Sequence, residues 1–241
     1  SILLHGEDAA DPSFKAALAN LWLFPEIQRV ELHGPAFDDT AISPLSALRK
    51  LDTLNLARTR ATGDGLAALA PTVPLRELVL YHDDPASDIA SGLSAFVEVR
   101  SIALSGMPLS NAHLEGIASL PNLEKLSLMN VQPAIEVAAL APAEAEGDLL
   151  SFDELDFEMP DLDLAPLSQA PALEELHLFN ANRESLAGLG RMPRLKVFRL
   201  WNRATIEEVQ AFSALNPECD VGYRVDTSEA KWFRAGEEAE R

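Results

Sequence analysis

The chain has 241 residues, 47% of them hydrophobic, enough for a packed core and too apolar for disorder. Its formal net charge of −19 disfavours binding to nucleic-acid phosphates or to an anionic membrane surface. No apolar run approaches the roughly 18–20 residues of a membrane span.

The first readable element is "ILLHG" (Ile2–Gly6), where Ile2 and Leu4 form the inward pair of a short strand. Ser1–Asp11 lacks a basic start followed by an apolar stretch, so no signal peptide is expected. Pro12–Leu23 reads as a helix, with Asp11 as N-cap and Pro12 at the first helical position. A phrase then recurs. "IQRVEL" starts at Ile27, "LDTLNL" at Leu51, "LRELVL" at Leu75, "VRSIAL" at Val99 and "LEKLSL" at Leu123, each 24 residues after the last. "FDELDF" at Phe152, "LEELHL" at Leu173 and "LKVFRL" at Leu195 follow at intervals of 29, 21 and 22 residues.

Within the phrase the apolar places are one, four and six. The last two, one residue apart, have the period of a strand with a single buried face. A second apolar cluster follows in each unit, spaced by threes and fours: Ile42-Leu45-Leu48, Leu66-Leu69, Ile89-Leu93-Phe96, Leu114-Ile117-Leu120 and Val137-Leu140. That spacing predicts a short helical or 3₁₀ return. No unit can bury its apolar face alone, so the units stack into one continuous core. The surplus of the longest interval, "PAEAEGD" (Pro142–Asp148), predicts a loop. At the far end, "NPECDVGY" puts Cys219 at an apolar place and Gly222 where an inward leucine belongs, which predicts an atypical terminal strand. The expected organisation is an irregular first unit or cap over 1–26, repeats over 27–218, and a capping strand with a charged tail over 219–241.

The recurring L-x-x-L-x-L phrase, with its 20–29-residue period over Ile27 to about Val221, resembles the leucine-rich repeat family. The stretch "ATGDGLAALA" (Ala61–Ala70) is similar to the 24-residue GALA-type repeat of bacteria. The resemblance implies an α/β solenoid curved like a horseshoe, with a parallel sheet on the concave face and short helices or 3₁₀ turns on the convex face. It also implies that the concave face binds. Asn130, Asn180 and Asn202 stand at the eighth place, where Gly34 and Gly106 stand in other units; all tolerate the left-handed turn conformation.

With places four and six buried, places three, five and seven face outward. Phe179 and Trp201 then stand side by side at place seven, flanked by His177 and Arg199 at place five. Aromatic residues and arginine are what anchor interfaces; the competing expectation is that a terminal cap, with Trp232, covers them. Charge is also blocked. Leu126–Asn182 holds no Lys or Arg and twelve acids, and Arg183–Arg203 holds six bases and one acid. Glu154, Asp156 and Glu158 take outward places, and with Glu175 beside them they predict a negative floor suited to a basic partner.

Catalytic and metal sets are thin. His5 and His33 share a column on adjacent strands, but no third ligand follows. Glu158, Asp161 and Asp163 lack the glycine-punctuated loop of an EF-hand calcium site. His82 with Asp83 and Asp84 would need a nucleophile, and Ser105 on the next strand has no nucleophile-elbow setting. Cys219 reads as packing, and its being the single cysteine rules out an internal disulfide and fits a reducing, cytoplasmic compartment. The expectation is therefore a non-enzymatic protein-binding module without metal or cofactor. It would take a partner of basic surface through Glu154, Asp156, Glu158, Glu175, His177, Phe179, Arg199 and Trp201. A narrower version is an inhibitor or immunity protein of a basic enzyme. Alternatives are the recognition arm of an effector delivered into a host cell, or a metal-dependent binder or hydrolase built on the solenoid. The oligomeric state is not legible.

Overall fold

The structure, a computed structural model, describes residues 1–6, 16, 18–82, 88–129, 131–133, 162–179, 186, 188–201, 205–224 and 232–234. Its strands are β1 (Ile2–His5), β2 (Arg29–His33), β3 (Thr53–Ala57), β4 (Glu77–Tyr81), β5 (Ser101–Ser105) and β6 (Pro108–Leu109). They continue with β7 (Lys125–Met129), β8 (Gln132–Pro133), β9 (Glu175–Phe179), β10 (Val197–Trp201), β11 (Asp220–Arg224) and β12 (Trp232–Arg234). Ten of these form one sheet in the order β1-β2-β3-β4-β5-β7-β9-β10-β11-β12. Neighbours pair in parallel up to β11, and β12 closes that end in antiparallel fashion. A second, two-residue ladder joins β6 to β8.

The mixed period of the phrase is explained by the register. Leu54 aligns with Leu78, and Leu56 with Leu80, so places four and six stack rung on rung. Leu51, Leu54, Leu56, Leu78, Leu80, Leu126, Leu176 and Leu178 are all at 0% exposure, inside one core that runs the length of the sheet. The other wall of that core is the row of returns. Ile42, Leu45, Leu48, Leu66, Leu69, Ile89, Leu93, Phe96, Leu114, Ile117 and Leu120 are buried, as their spacing predicts, while Val137 and Leu140 lie outside the described residues. The returns are short: 3₁₀ turns at Ser43–Ala47, Ile89–Ala95 and Ala165–Gln169, and helices at Gly63–Ala67, Asn111–Ala118 and Ile206–Leu215. Helix starts are capped. The Ser110 hydroxyl accepts from the His113 backbone N–H and the His113 ring returns the contact; Thr205 and Glu208 do the same. This is an α/β leucine-rich-repeat solenoid, with the parallel sheet on one side and short helical returns on the other.

At the predicted turn place, Gly34 has φ 112° and Gly106 has φ 70°. Arg58 occupies the same place with φ 54°, a conformation that costs an L-residue about 1–2 kcal/mol. Asn130, Asn180 and Asn202 lie outside the described residues, as do Asp11 and Pro12; Leu21–Leu23 of the expected first helix is a 3₁₀ turn.

Two expectations are corrected. The sequence places a strand at Phe152 between the strands of Leu123 and Leu173. Instead β7 pairs directly with β9, Leu126 against Leu176 and Leu128 against Leu178. The backbone N–H groups of Glu174 and Glu175 both donate to the Glu124 carbonyl, which continues the connection that joins β2 to β3, β3 to β4, β4 to β5, β5 to β7 and β9 to β10. Leu164 and Leu167, buried on the 3₁₀ return before β9, complete the unit that β7 opens. The second correction is one of phase. Phe198 aligns with Val221 and Leu200 with Tyr223, so the inward residues of β11 are Val221 and Tyr223, both buried. Gly222 therefore faces outward beside Arg199, not inward.

Candidate functional site: the open face of the sheet

Places three, five and seven of each strand project away from the returns. Read across the strands, place seven runs His5, His33, Ala57, Tyr81, Ser105, Met129, Phe179 and Trp201. From β1 to β10 this row carries no Asp, Glu, Lys or Arg; on β11 the register continues it with Arg224. Eight strands about 4.8 Å apart make it roughly 34 Å long. Ala57 and Ser105 are small and buried, so Tyr81 between them stands proud at 39% exposure.

The aromatic expectation places Phe179 and Trp201 together, and the parallel register does so. Their rings stack with centroids 3.9 Å apart and planes 26° apart. Both are partly exposed. Met129, not Glu158, is the neighbour of Phe179 on the other side, because no rung intervenes. Three large, uncharged side chains therefore adjoin on β7, β9 and β10. In the backbone register Trp232 aligns with Arg224 and Arg224 with Trp201, so β12 extends the sheet beyond β11 rather than crossing over β10.

His177 and Arg199 also align. Burial, reinforced by the Lys125 charge and against the pull of Glu175, holds the His177 imidazole below its ordinary pKa; Arg199 adds to the lowering. Arg199 has a structural task as well. Its guanidinium donates to the Asp220 carbonyl and carboxylate, both at 2.8 Å, and to the Phe198 carbonyl at 3.2 Å. A Cβ at residue 222 would lie 3.1 Å from the Arg199 Cδ, so glycine lets the arginine lie along the sheet and tie β10 to β11.

The expected negative floor falls mostly on residues that the structure does not describe. Glu154, Asp156 and Glu158 lie outside the described residues. Glu175 meets Lys125 at 3.0 Å, the neighbour supplied by the β7–β9 pairing. Glu174 meets Lys196 at 2.6 Å, and the Asp163 carboxylate accepts from the Ala165 N–H. Place two carries further pairs one unit apart, Asp52 with Arg76 at 3.7 Å and Arg100 with Glu124 at 2.8 Å. Reading place two down the stack of phrases would have shown this ladder, since an acid and a base adjoin there at Asp52 and Arg76, at Arg100 and Glu124, and at Glu174 and Lys196.

His5 and His33 meet as expected, with ring centroids 4.8 Å apart, and among the described residues no group of three or more His, Cys, Asp or Glu could hold a metal. Asp161 lies outside the described residues, as do Asp83 and Asp84. His82 and Ser105 are joined by a backbone hydrogen bond of 2.8 Å, and both residues are buried, at 4% and 5% exposure. Burial and the neighbouring Asp220 push the Cys219 thiol up to about 11, so it is not a thiolate at neutral pH. No helix among the described residues is long and apolar enough to cross a membrane.

No family model matches the chain, and no curated protein matches it. Solved structures similar to it include an internalin from Listeria monocytogenes, at 18% identity over 88% of this chain and 57% of that one, with a TM-score of 0.48. Another is a protein from Bacteroides fragilis, at 15% identity over 95% of this chain and 75% of that one, with a TM-score of 0.45. The chain thus spans just over half the length of the internalin.

Proposed function

We propose that the protein is a binding module that takes a protein partner on the open face of its sheet. The observation that carries this reading is the adjoining side chains of Met129, Phe179 and Trp201, at the end of a run of place-seven residues that is uncharged from β1 to β10. Partly exposed aromatic side chains on a rigid sheet supply large contact area at little cost in conformational entropy. Arg199, two residues before Trp201, is already held by Asp220, so binding would not have to order that side chain first. The partner's charge is the finer part of the proposal. A net charge of −19 favours a partner with a basic surface, by steering its approach.

Paired affinity purifications test both parts. The wild-type chain is expected to retain one or more proteins that Trp201→Ala and Phe179→Ala lose, with the melting temperatures of both variants checked. Identical retention by wild type and both variants would overturn the aromatic anchor. Retention that does not weaken as salt is raised would overturn the basic partner while leaving the anchor standing.

A further inference from the structure

We propose that the middle of the open face holds a socket for one tyrosine side chain of the partner, floored by Ser105 and Ser127 and walled by Tyr81 and Met129. The inference rests on the protein-binding reading of the face and adds a specific chemical requirement to it.

The socket follows from the register. Tyr81, Ser105 and Met129 take place seven on β4, β5 and β7, and Val79, Ala103 and Ser127 take place five on the same strands. None of the six is charged. Leu104, Leu126 and Leu128 fill the core, so alternation aims Ser105 and Ser127 at the open face. Both lie low there, at 5% and 9% exposure, while Tyr81 stands at 39%. Among the described residues neither serine hydroxyl has a hydrogen-bond partner, and neither oxygen is among the unpaired polar atoms sealed off from solvent. The floor therefore offers two open, unpaired hydroxyls. The walls are fixed from outside. The Arg58 guanidinium, which comes from the end of β3, lies 5.8 Å from the centroid of the Tyr81 ring, and β5 lies on the other side of β4. Met129 adjoins Phe179, so the socket continues the surface of the aromatic pair.

The strands β4 and β7 are two spacings apart, about 9.6 Å. A ring standing over β5 lies about 4.8 Å from either wall, within the range at which aromatic rings stack and a thioether sulfur meets a ring. A tyrosine meets the demands of both walls and floor. Its ring fills the gap, and its hydroxyl can donate to one serine and accept from the other. A phenylalanine would bury the serine hydroxyls unpaired, and a lysine or arginine would lose its hydration against an uncharged floor. The requirement is independent of the overall charge of the partner.

The test selects a displayed library of random peptides on the wild-type chain, and the enriched peptides are expected to share a tyrosine. The affinities of such a peptide and of its form with phenylalanine in place of that tyrosine are then measured. The proteins compared are wild type, the double variant Ser105→Ala with Ser127→Ala, Ser105→Leu and Trp201→Ala, each with its fold checked by thermal melting. Loss of the peptide's hydroxyl is expected to cost wild type about tenfold and the double variant nothing. Ser105→Leu, which fills the floor, is expected to weaken binding of the tyrosine peptide by about tenfold or more. The proposal is overturned if no peptide is enriched, if the enriched peptides share no tyrosine, if loss of the hydroxyl costs both proteins equally, or if Ser105→Leu binds within twofold of wild type. Trp201→Ala keeps the two readings apart. Unchanged affinity in it, with the preference for the hydroxyl intact, would remove the aromatic anchor and leave the socket standing. Lost affinity in it, with no such preference in wild type, would do the reverse.

Discussion

His177 sits between two cations on a sheet face, and that position has a consequence for stability. Burial and Lys125 lower its pKa in the folded protein below the ordinary value of 6.5, while the unfolded chain keeps that value. Between the two values the unfolded state binds more protons than the folded state, so stability rises with pH there. On acidification the loss begins near the unfolded value and levels off once the folded value has been passed. His177→Gln is therefore expected to flatten the fall in melting temperature between about pH 7 and pH 5, relative to wild type. Equal slopes in the two proteins would show that the imidazole carries no such linkage. The cluster around His177 was legible in the sequence, because two phrases at Leu173 and Leu195 share one register and the register alone brings His177 to Arg199 and Phe179 to Trp201. The task of Arg199 was not legible. It depends on Gly222 facing outward, and an apolar Cys219 two residues after a proline disguises the phase of β11 by one residue.

At the scale of the strand, the decisive contact is between β7 and β9. "FDELDF" carries the same alternation as its neighbours, and alternation records which face is buried but not which strand lies alongside. Partner choice is settled by the whole unit, strand plus return. The return that precedes β9 carries buried Leu164 and Leu167, and the backbone groups of Glu124 receive β9 directly. The regular units needed no such arbitration: a constant interval of 24 residues leaves each phrase one available neighbour on either side. Leu126→Ala and Leu176→Ala test the pairing. Each is expected to cost about 2–5 kcal/mol, as for fully buried leucines. Since the two side chains stand in register on adjacent strands, the double variant is expected to depart from additivity by about 0.5–3 kcal/mol. With a strand between them they would be about 9.6 Å apart and their costs would add. Additive denaturation midpoints would therefore reject the direct pairing.

Across the whole molecule two electrostatic effects oppose each other. The ladder of Asp52–Arg76, Arg100–Glu124, Lys125–Glu175 and Lys196–Glu174 stabilises adjacent units, and salt weakens it. The excess of acids, 38 against 19 bases, pushes the folded chain apart, and salt relieves it. Pairs as exposed as these contribute little individually, because water already screens them and each must hold two long side chains in place. The uncompensated charges, by contrast, act between every pair of acids within a screening length, which shrinks from about 20 Å near 20 mM salt to under 10 Å by 300 mM. Repulsion therefore outweighs the ladder, and the melting temperature is expected to rise with salt over that range. A relief of 1 kcal/mol would raise it by about 2–4 °C for a chain of this size. Because each unit of a solenoid leans on its neighbours alone, the gain should appear along the whole stack and keep the transition single. A melting temperature that falls over the same range would mean that the rung-to-rung pairs, not the net charge, set the response of this fold to salt.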